Sequence, residues 1–134
     1  MKILIVEDED VLSLVLEEKL KNEGYEVMIA KDGEEAVPKA EKFKPDAILL
    51  DLILPKKGGL EVLEALKSNS ALKLTPVIVL SNLEGDETIK NALSLGAVDY
   101  FVKTQHPIAE IIEKIEELFT KSKSGKLSAG QRKK

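Results

Sequence analysis

Short unbroken aliphatic blocks alternate along this chain with longer stretches in which apolar residues recur every three or four positions. The first kind reads as strands buried on both faces, the second as amphipathic helices. Lys2–Val6, Glu26–Ala30, Asp46–Asp51, Pro76–Leu80 and Val98–Val102 are the expected strands. Val11, Leu12, Val15, Leu16 and Leu20 mark a first helix, which Gly24 stops. A second is expected over Gly33–Phe43 behind an Asp32 N-cap. Pro38 should kink or shorten it, since an interior proline removes a backbone hydrogen bond at a cost of about 3 kcal/mol. A third helix carries Leu60, Val62, Leu63 and Leu66 to about Asn69. A weaker fourth, Asp86–Leu95, turns Ile89, Ala92 and Leu93 inward before Gly96. The last opens at Pro107, a favoured first-turn position for proline, and lays Ile108, Ile111, Ile112, Ile115, Leu118 and Phe119 along one stripe.

Five strands alternating with five helices on short connections predict an α/β fold, a doubly wound parallel sheet covered by helices on both faces. No internal repeat or second domain is visible. Residues 1–120 form the expected domain. The periodicity stops after Thr120, and residues 121–134, rich in Ser, Gly and Lys, are expected to be an unfolded basic tail.

Composition narrows the chemistry. With three Phe, two Tyr and no Trp, the core has to be aliphatic. The chain has no cysteine, which excludes disulfides, thiolate metal sites and a cysteine nucleophile. A single histidine, His106, argues against a histidine-built metal site or a serine triad, and reads as an exposed loop residue without a role. The net charge of −4 is split: all 24 acidic residues lie at or before Glu117, while six of the 20 basic ones follow it. A body so acidic is no nucleic-acid surface, and the tail has no aromatic residue to stack on a base. No apolar run is long enough to span a bilayer, and no signal pattern opens the chain, so a cytoplasmic location is expected.

In open parallel sheets, ligands bind outside the carboxyl ends of the strands. The polar residues expected at those ends are Glu7 and Asp8, then Asp51, then Ser81, then Lys103. Three carboxylates crowded together repel unless a cation sits among them. Oxygen donors without His or Cys suit a hard ion such as Mg²⁺. A metal-bound carboxylate beside a lysine is placed to accept a phosphoryl group, because the cations absorb charge on the transferring oxygens. The residues alone therefore read as a Mg²⁺-dependent aspartyl-phosphate site on Asp51, with Ser81 available to bond a phosphate oxygen. Glu9 and Asp10 read as acidic residues favoured at a helix N-terminus.

These strand-end motifs resemble the receiver domains of two-component response regulators, including the single-domain chemotaxis type, over about residues 1–120. They are Val6-Glu7-Asp8, the Asp51-x-x-Leu54-Pro55-x-x-x-Gly59 loop, Ser81, and Asp99-Tyr100-Phe101-Val102-Lys103. The resemblance implies a flavodoxin-like sheet in the order 2-1-3-4-5. It implies that Asp51 accepts a phosphoryl group from a histidine kinase or phosphotransfer protein, and that Lys103 pairs with that group. Asp8 directly, Glu7 through water, Asp51 and the Ile53 backbone carbonyl would hold Mg²⁺. Ser81 would move toward the phosphate, and Tyr100 would turn inward into the space left behind. That would reshape the face of the fourth helix, fifth strand and fifth helix for an unknown downstream protein. Such a chain is a phosphoryl acceptor with at most slow autodephosphorylation, not an enzyme, and is a monomer or a phosphorylation-promoted dimer. Neither direct nucleic-acid binding nor membrane attachment is expected.

Several residues depart from the family pattern. Gly58 stands where an Asp is common, and Thr104 replaces the usual proline after the lysine. Asn82 is bulkier than the usual residue there, and Ile53 and Leu83 are apolar where fast-hydrolysing members are polar, which predicts slow phosphate loss. Two other readings compete. One is a degenerate receiver that binds protein without being phosphorylated. The other is a Mg²⁺-dependent phosphohydrolase, which would usually need a carboxylate where Ile53 stands.

Overall fold

A strand with no polar face needs cover on both sides, and the architecture follows from that. The computed structural model describes residues 1–83 and 85–124, the last four by backbone alone. The elements run β1 (Lys2–Val6), α1 (Asp10–Asn22), β2 (Glu26–Ala30), α2 (Gly33–Phe43), β3 (Ala47–Leu50), α3 (Gly59–Ser68), β4 (Val77–Ser81), α4 (Asp86–Ser94), β5 (Asp99–Val102) and α5 (Ile108–Ser124). The five strands form one parallel sheet in the order β2-β1-β3-β4-β5. This is the predicted flavodoxin-like arrangement.

Alternate residues along each strand feed opposite layers. Leu4, Val6, Ile48, Leu50, Val77 and Val79 pack under Ala36, Ala40, Val62, Leu63, Leu66 and Ala92 of α2, α3 and α4. Ile3, Ile5, Leu49, Ile78 and Leu80 pack against Leu16 and Leu20 of α1 and Ile111, Ile115 and Phe119 of α5. The crossover from β1 runs one way to β2, and the next, from β2, passes back over β1 to β3, so the strand order reverses between β1 and β3. There Val6 pairs with Leu50, and the Asp51 N–H donates to the Val6 carbonyl at 3.0 Å. The residues that follow, Glu7 and Asp51, therefore emerge side by side. One strand further out Ser81 pairs with Val102, so Lys103 emerges on the same rim.

Helix boundaries show which local signals held. Gly24, at φ +95°, ends α1: its N–H donates to the Lys21 carbonyl and the Tyr25 N–H to the Leu20 carbonyl, the double closure a left-handed glycine permits. Asp32 caps α2 by accepting from the Glu34 and Glu35 N–H groups. The expected shortening at Pro38 is not found; α2 runs its full length. Pro38 is exposed, on the side where water can take up the Glu34 carbonyl that its ring leaves unpaired.

Other expectations need correction. Val11 is 76 % exposed, because α1 buries the narrower set Ser13, Leu16 and Leu20. Leu93 is also exposed, since short α4 meets the core through Ala92, with Ile89 half-buried. The last helix passes Thr120 and reaches Ser124, so the first four residues of the expected tail are helical. Basic residues suit the partial negative charge of a helix C-terminus. The rest of that tail, residues 125–134, lies outside the described residues. No helix among the described residues is long and apolar enough to cross a membrane.

Restoring the missing backbone donor in α2 should stabilise the fold. Pro38→Ala is expected to add about 1–3 kcal/mol. Thermal denaturation should show a melting temperature raised by several degrees; a fall would mean that the ring stabilises the native packing by more than its missing donor costs.

Candidate functional site

The rim above β1, β3 and β5 gathers opposite charges in a nearly closed space. Asp51 is only 4 % exposed and Glu7 only 2 %. Both were carried there by buried strands, and neither can escape to water. The Lys103 ammonium lies between them, 2.9 Å from Asp51 Oδ2 and 3.1 Å from the Glu7 carboxylate. The other Asp51 oxygen, Oδ1, accepts the Ile53 N–H at 3.0 Å, which fixes the carboxylate plane. Asp8 stands at the exposed mouth, and one oxygen each from Glu7, Asp8 and Asp51 lie within 4.8 Å of one another. The predicted residues Glu7, Asp8, Asp51 and Lys103 are therefore brought together, with Ile53 directly beside them.

Lys103 reaches Asp51 without a proline after it. No cis peptide bond occurs among the described residues, so Lys103–Thr104 is trans. The turn is held in other ways. The Lys103 N–H donates to the Ser81 carbonyl at 2.9 Å, and the Gln105 and His106 N–H groups both donate to the Val102 carbonyl. His106 is not the idle loop residue expected. Its Nδ1 lies 3.3 Å from the Val102 nitrogen, and its ring meets Phe101 edge-on at 5.1 Å. A lone histidine before a proline carries no sequence signal for that contact.

Glu9 was also missed. Its carboxylate lies 3.4 Å from the Lys103 ammonium, and its N–H donates to Glu7 Oε2 at 3.1 Å. It reads in sequence as one more acid at a helix start, and only the path of the chain turns it back. Asp10, by contrast, does what was expected of a first-turn acid, and pairs with Lys31.

Ser81 is fully buried at the end of β4, where its hydroxyl accepts the Leu83 N–H at a long 3.4 Å. Tyr100 stands on β5. Its ring is already inside, 8 % exposed, and its hydroxyl donates to the Leu83 carbonyl at 2.7 Å. The hydrogen bond to a loop carbonyl satisfies the phenol where it stands. Burial, then the Asp51 charge, hold that phenol above its ordinary pKa, with a hydrogen bond to Ser81 working the other way.

Burial sets the charge state of the cluster. It acts to lower the Lys103 pKa, but the Asp51 carboxylate and then Glu7 outweigh it, and the ammonium is held above its usual range. Glu7 moves the other way. Burial first, then repulsion by Asp51, push its carboxyl from 4.5 up to about 7, against the Glu9 N–H and Lys103, which favour the charged form.

Comparison with known proteins bears on this arrangement. A family model described as the response regulator receiver domain matches residues 3–116. Over 106 residues the chain is 41% identical to the alkaline phosphatase synthesis transcriptional regulatory protein PhoP of Bacillus subtilis, covering 79% of this chain and 43% of that protein. It is 34% identical over 116 residues to the transcriptional regulatory protein PdtaR of Mycobacterium tuberculosis, covering 86% of this chain and 55% of the other. The chain thus spans about half the length of these curated relatives. Among solved structures, the BeF3-activated N-terminal receiver domain of Klebsiella pneumoniae RstA superposes with a TM-score of 0.80 at 28% identity, covering 87% of this chain and 96% of that one. The Mn²⁺-bound form of the response regulator Rcp1 gives 0.77 at 32% identity, covering 88% and 93%.

The Glu7 shift has a definite sign for stability. A carboxyl near 4.5 when unfolded and about 7 when folded binds its proton more tightly in the fold. Its contribution is complete below 4.5 and is lost as pH rises through 7. In the presence of a chelator, Glu7→Gln should therefore flatten this fall and raise stability at pH 8, by on the order of 1–3 kcal/mol. Urea denaturation at pH 5 and pH 8 measures it, and a variant less stable than the parent at pH 8 would contradict the assignment.

Proposed function

The chain belongs to the response regulator receiver domains, and from that footing we propose that it is a phosphorylation-controlled signalling module whose acceptor is Asp51. The donor is a histidine kinase or phosphotransfer protein. An Asp51 carboxylate oxygen attacks phosphorus, the P–N bond to the donor imidazole breaks, and its electron pair stays on the imidazole nitrogen. The observation that carries this reading is the Lys103 ammonium between buried Asp51 and Glu7, reached although Thr104 stands where the family usually has proline.

Mg²⁺ fits the residues present. The donor set is all oxygen, from Glu7, Asp8 and Asp51, with the Ile53 backbone carbonyl as the further ligand we assign. Burial first, and then repulsion by Asp51, raise the Glu7 pKa, and a divalent cation among the carboxylates would relieve that repulsion. When bound, the ion offsets negative charge on the transferring phosphoryl oxygens. The chain's own groups do the rest. The Ile53 N–H fixes the carboxylate plane, leaving Oδ2 toward Lys103. Lys103 follows the charge onto the phosphoryl group. Ser81 turns its hydroxyl to a phosphoryl oxygen and releases the Leu83 N–H, so the loop after β4 shifts and the Tyr100–Leu83 bond is remade. The switched face is that of α4, β5 and α5, offered to a downstream protein whose identity the relatives do not specify. The output is a population shift between two packings.

We read the chain as a stoichiometric acceptor. Ile53 and Leu83 are both exposed apolar residues, and neither can orient a hydrolytic water. Incubation with acetyl phosphate and Mg²⁺ should add one phosphoryl group by intact mass, and Asp51→Asn should add none. No adduct together with no Mg²⁺ binding would favour a receiver that binds partners without phosphorylation. Repeated release of phosphate would favour a hydrolase. Starting from the phosphorylated chain, Ile53→Asn should shorten the lifetime of the adduct several-fold, and an unchanged lifetime would remove Ile53 from the account.

A further inference from the structure

Beside the site, two stretches of backbone meet more closely than any residue with a side chain allows. Gly33 is the first residue of α2, and a Cβ there would lie 2.0 Å from the Lys57 carbonyl oxygen and 2.5 Å from Lys57 Cβ. The Gly33 N–H donates to the Pro55 carbonyl at 3.2 Å. Next to it the Lys56 ammonium lies 3.5 Å from the Asp32 carboxylate, on a residue held at φ +72°. That left-handed conformation is uncommon for a side-chain-bearing residue, so the turn depends on what surrounds it. The same loop is gripped at its start by α3. A Cβ on Gly59 would lie 2.3 Å from Leu52 Cα, and the Gly59 N–H donates to the Leu52 carbonyl at 2.9 Å. Gly58, between these contacts, has open space around it and an ordinary φ of −64°.

We infer that the first turn of α2 is a positioning element for the site: by admitting the Pro55–Lys57 backbone against it, Gly33 fixes the loop that carries Ile53 away from Asp51, and so sets the affinity for a divalent cation. Gly33 touches no ligand. It acts through the loop, three residues of which separate Lys57 from Ile53. The inference rests on the Mg²⁺ reading of the carboxylate set, and goes beyond it by giving a helix on the far side of the loop a share in the site.

The test uses the full chain, Mg²⁺ alone as probe, and isothermal titration alongside thermal denaturation in chelator. Ala36→Gly, in the core of α2, is the stability control, because it weakens the same helix without touching the loop. It should lower the melting temperature and leave the Mg²⁺ affinity in place. Gly58→Ala should leave the affinity in place as well. Gly33→Ala should weaken Mg²⁺ binding by about tenfold or more, as loss of outer support for metal ligands typically does. Binding by Gly33→Ala as tight as by Ala36→Gly would overturn the inference.

Should Gly33→Ala not fold, the parent chain supplies the second measurement. Coupling is reciprocal, so saturating Mg²⁺ should slow hydrogen exchange at the Gly33 amide as well as at Ile53. A response at Ile53 with none at Gly33 overturns the inference. A parent chain that gives no Mg²⁺ heat sinks the metal reading and this inference with it, whereas a parent that binds beside an unaffected Gly33→Ala sinks only the inference.

Discussion

A buried carboxylate must have positive charge beside it or take up a proton, and this rim meets that requirement in both ways at once. Lys103 serves Asp51 at 2.9 Å and Glu7 at 3.1 Å, and Glu7 still holds its proton to about 7. One ammonium is too little for the carboxylates that converge. Negative charge in excess of that ammonium is the condition that a further cation would relieve. The arrangement also leaves a lysine already aligned for an incoming anionic group. Sheet order, strand register and the turn after β5 all serve to deliver that one ammonium.

The turn shows how different residues can reach the same geometry. A proline would stiffen the segment after the lysine. Here the chain has Thr104, and His106 takes part in the restraint by lying against Val102 and Phe101. The Lys103 N–H is meanwhile anchored on the Ser81 carbonyl, so the ammonium beside Asp51 and the buried Ser81 hydroxyl share a backbone link.

The fold was legible because its signals are repetitive: five aliphatic blocks have few alternatives to a covered parallel sheet, and each ends in a polar residue whose place follows from register. Asp51 and Lys103 could be paired on paper for that reason. What stayed hidden depends on distances between segments far apart in sequence. Val11 and Leu93 have the right spacing for a core face, but the width of a buried face is set by the neighbouring layer. Glu9 looks like any acid at a helix start until Lys103 arrives from residues almost a hundred positions away. Gly33 looks like a helix opener, and its true constraint, the Lys57 carbonyl, lies on another loop. Tyr100 was placed in the right strand, but the Leu83 carbonyl that holds its phenol belongs to a loop whose path no periodicity encodes.

The two layers of the core differ in one further respect. Each holds one of the chain's two tyrosines: Tyr25 lies against Phe119 beneath α1 and α5, and Tyr100 lies beneath α4 with its phenol tied to the β4–α4 loop. There is no tryptophan to outshine them. The ultraviolet emission of the unlabelled protein is therefore the sum of one tyrosine on each side of the sheet. Of the two, Tyr100 is the one whose phenol is bonded to the loop beyond Ser81, so a rearrangement that breaks that bond changes the surroundings of one emitter and leaves Tyr25 against Phe119.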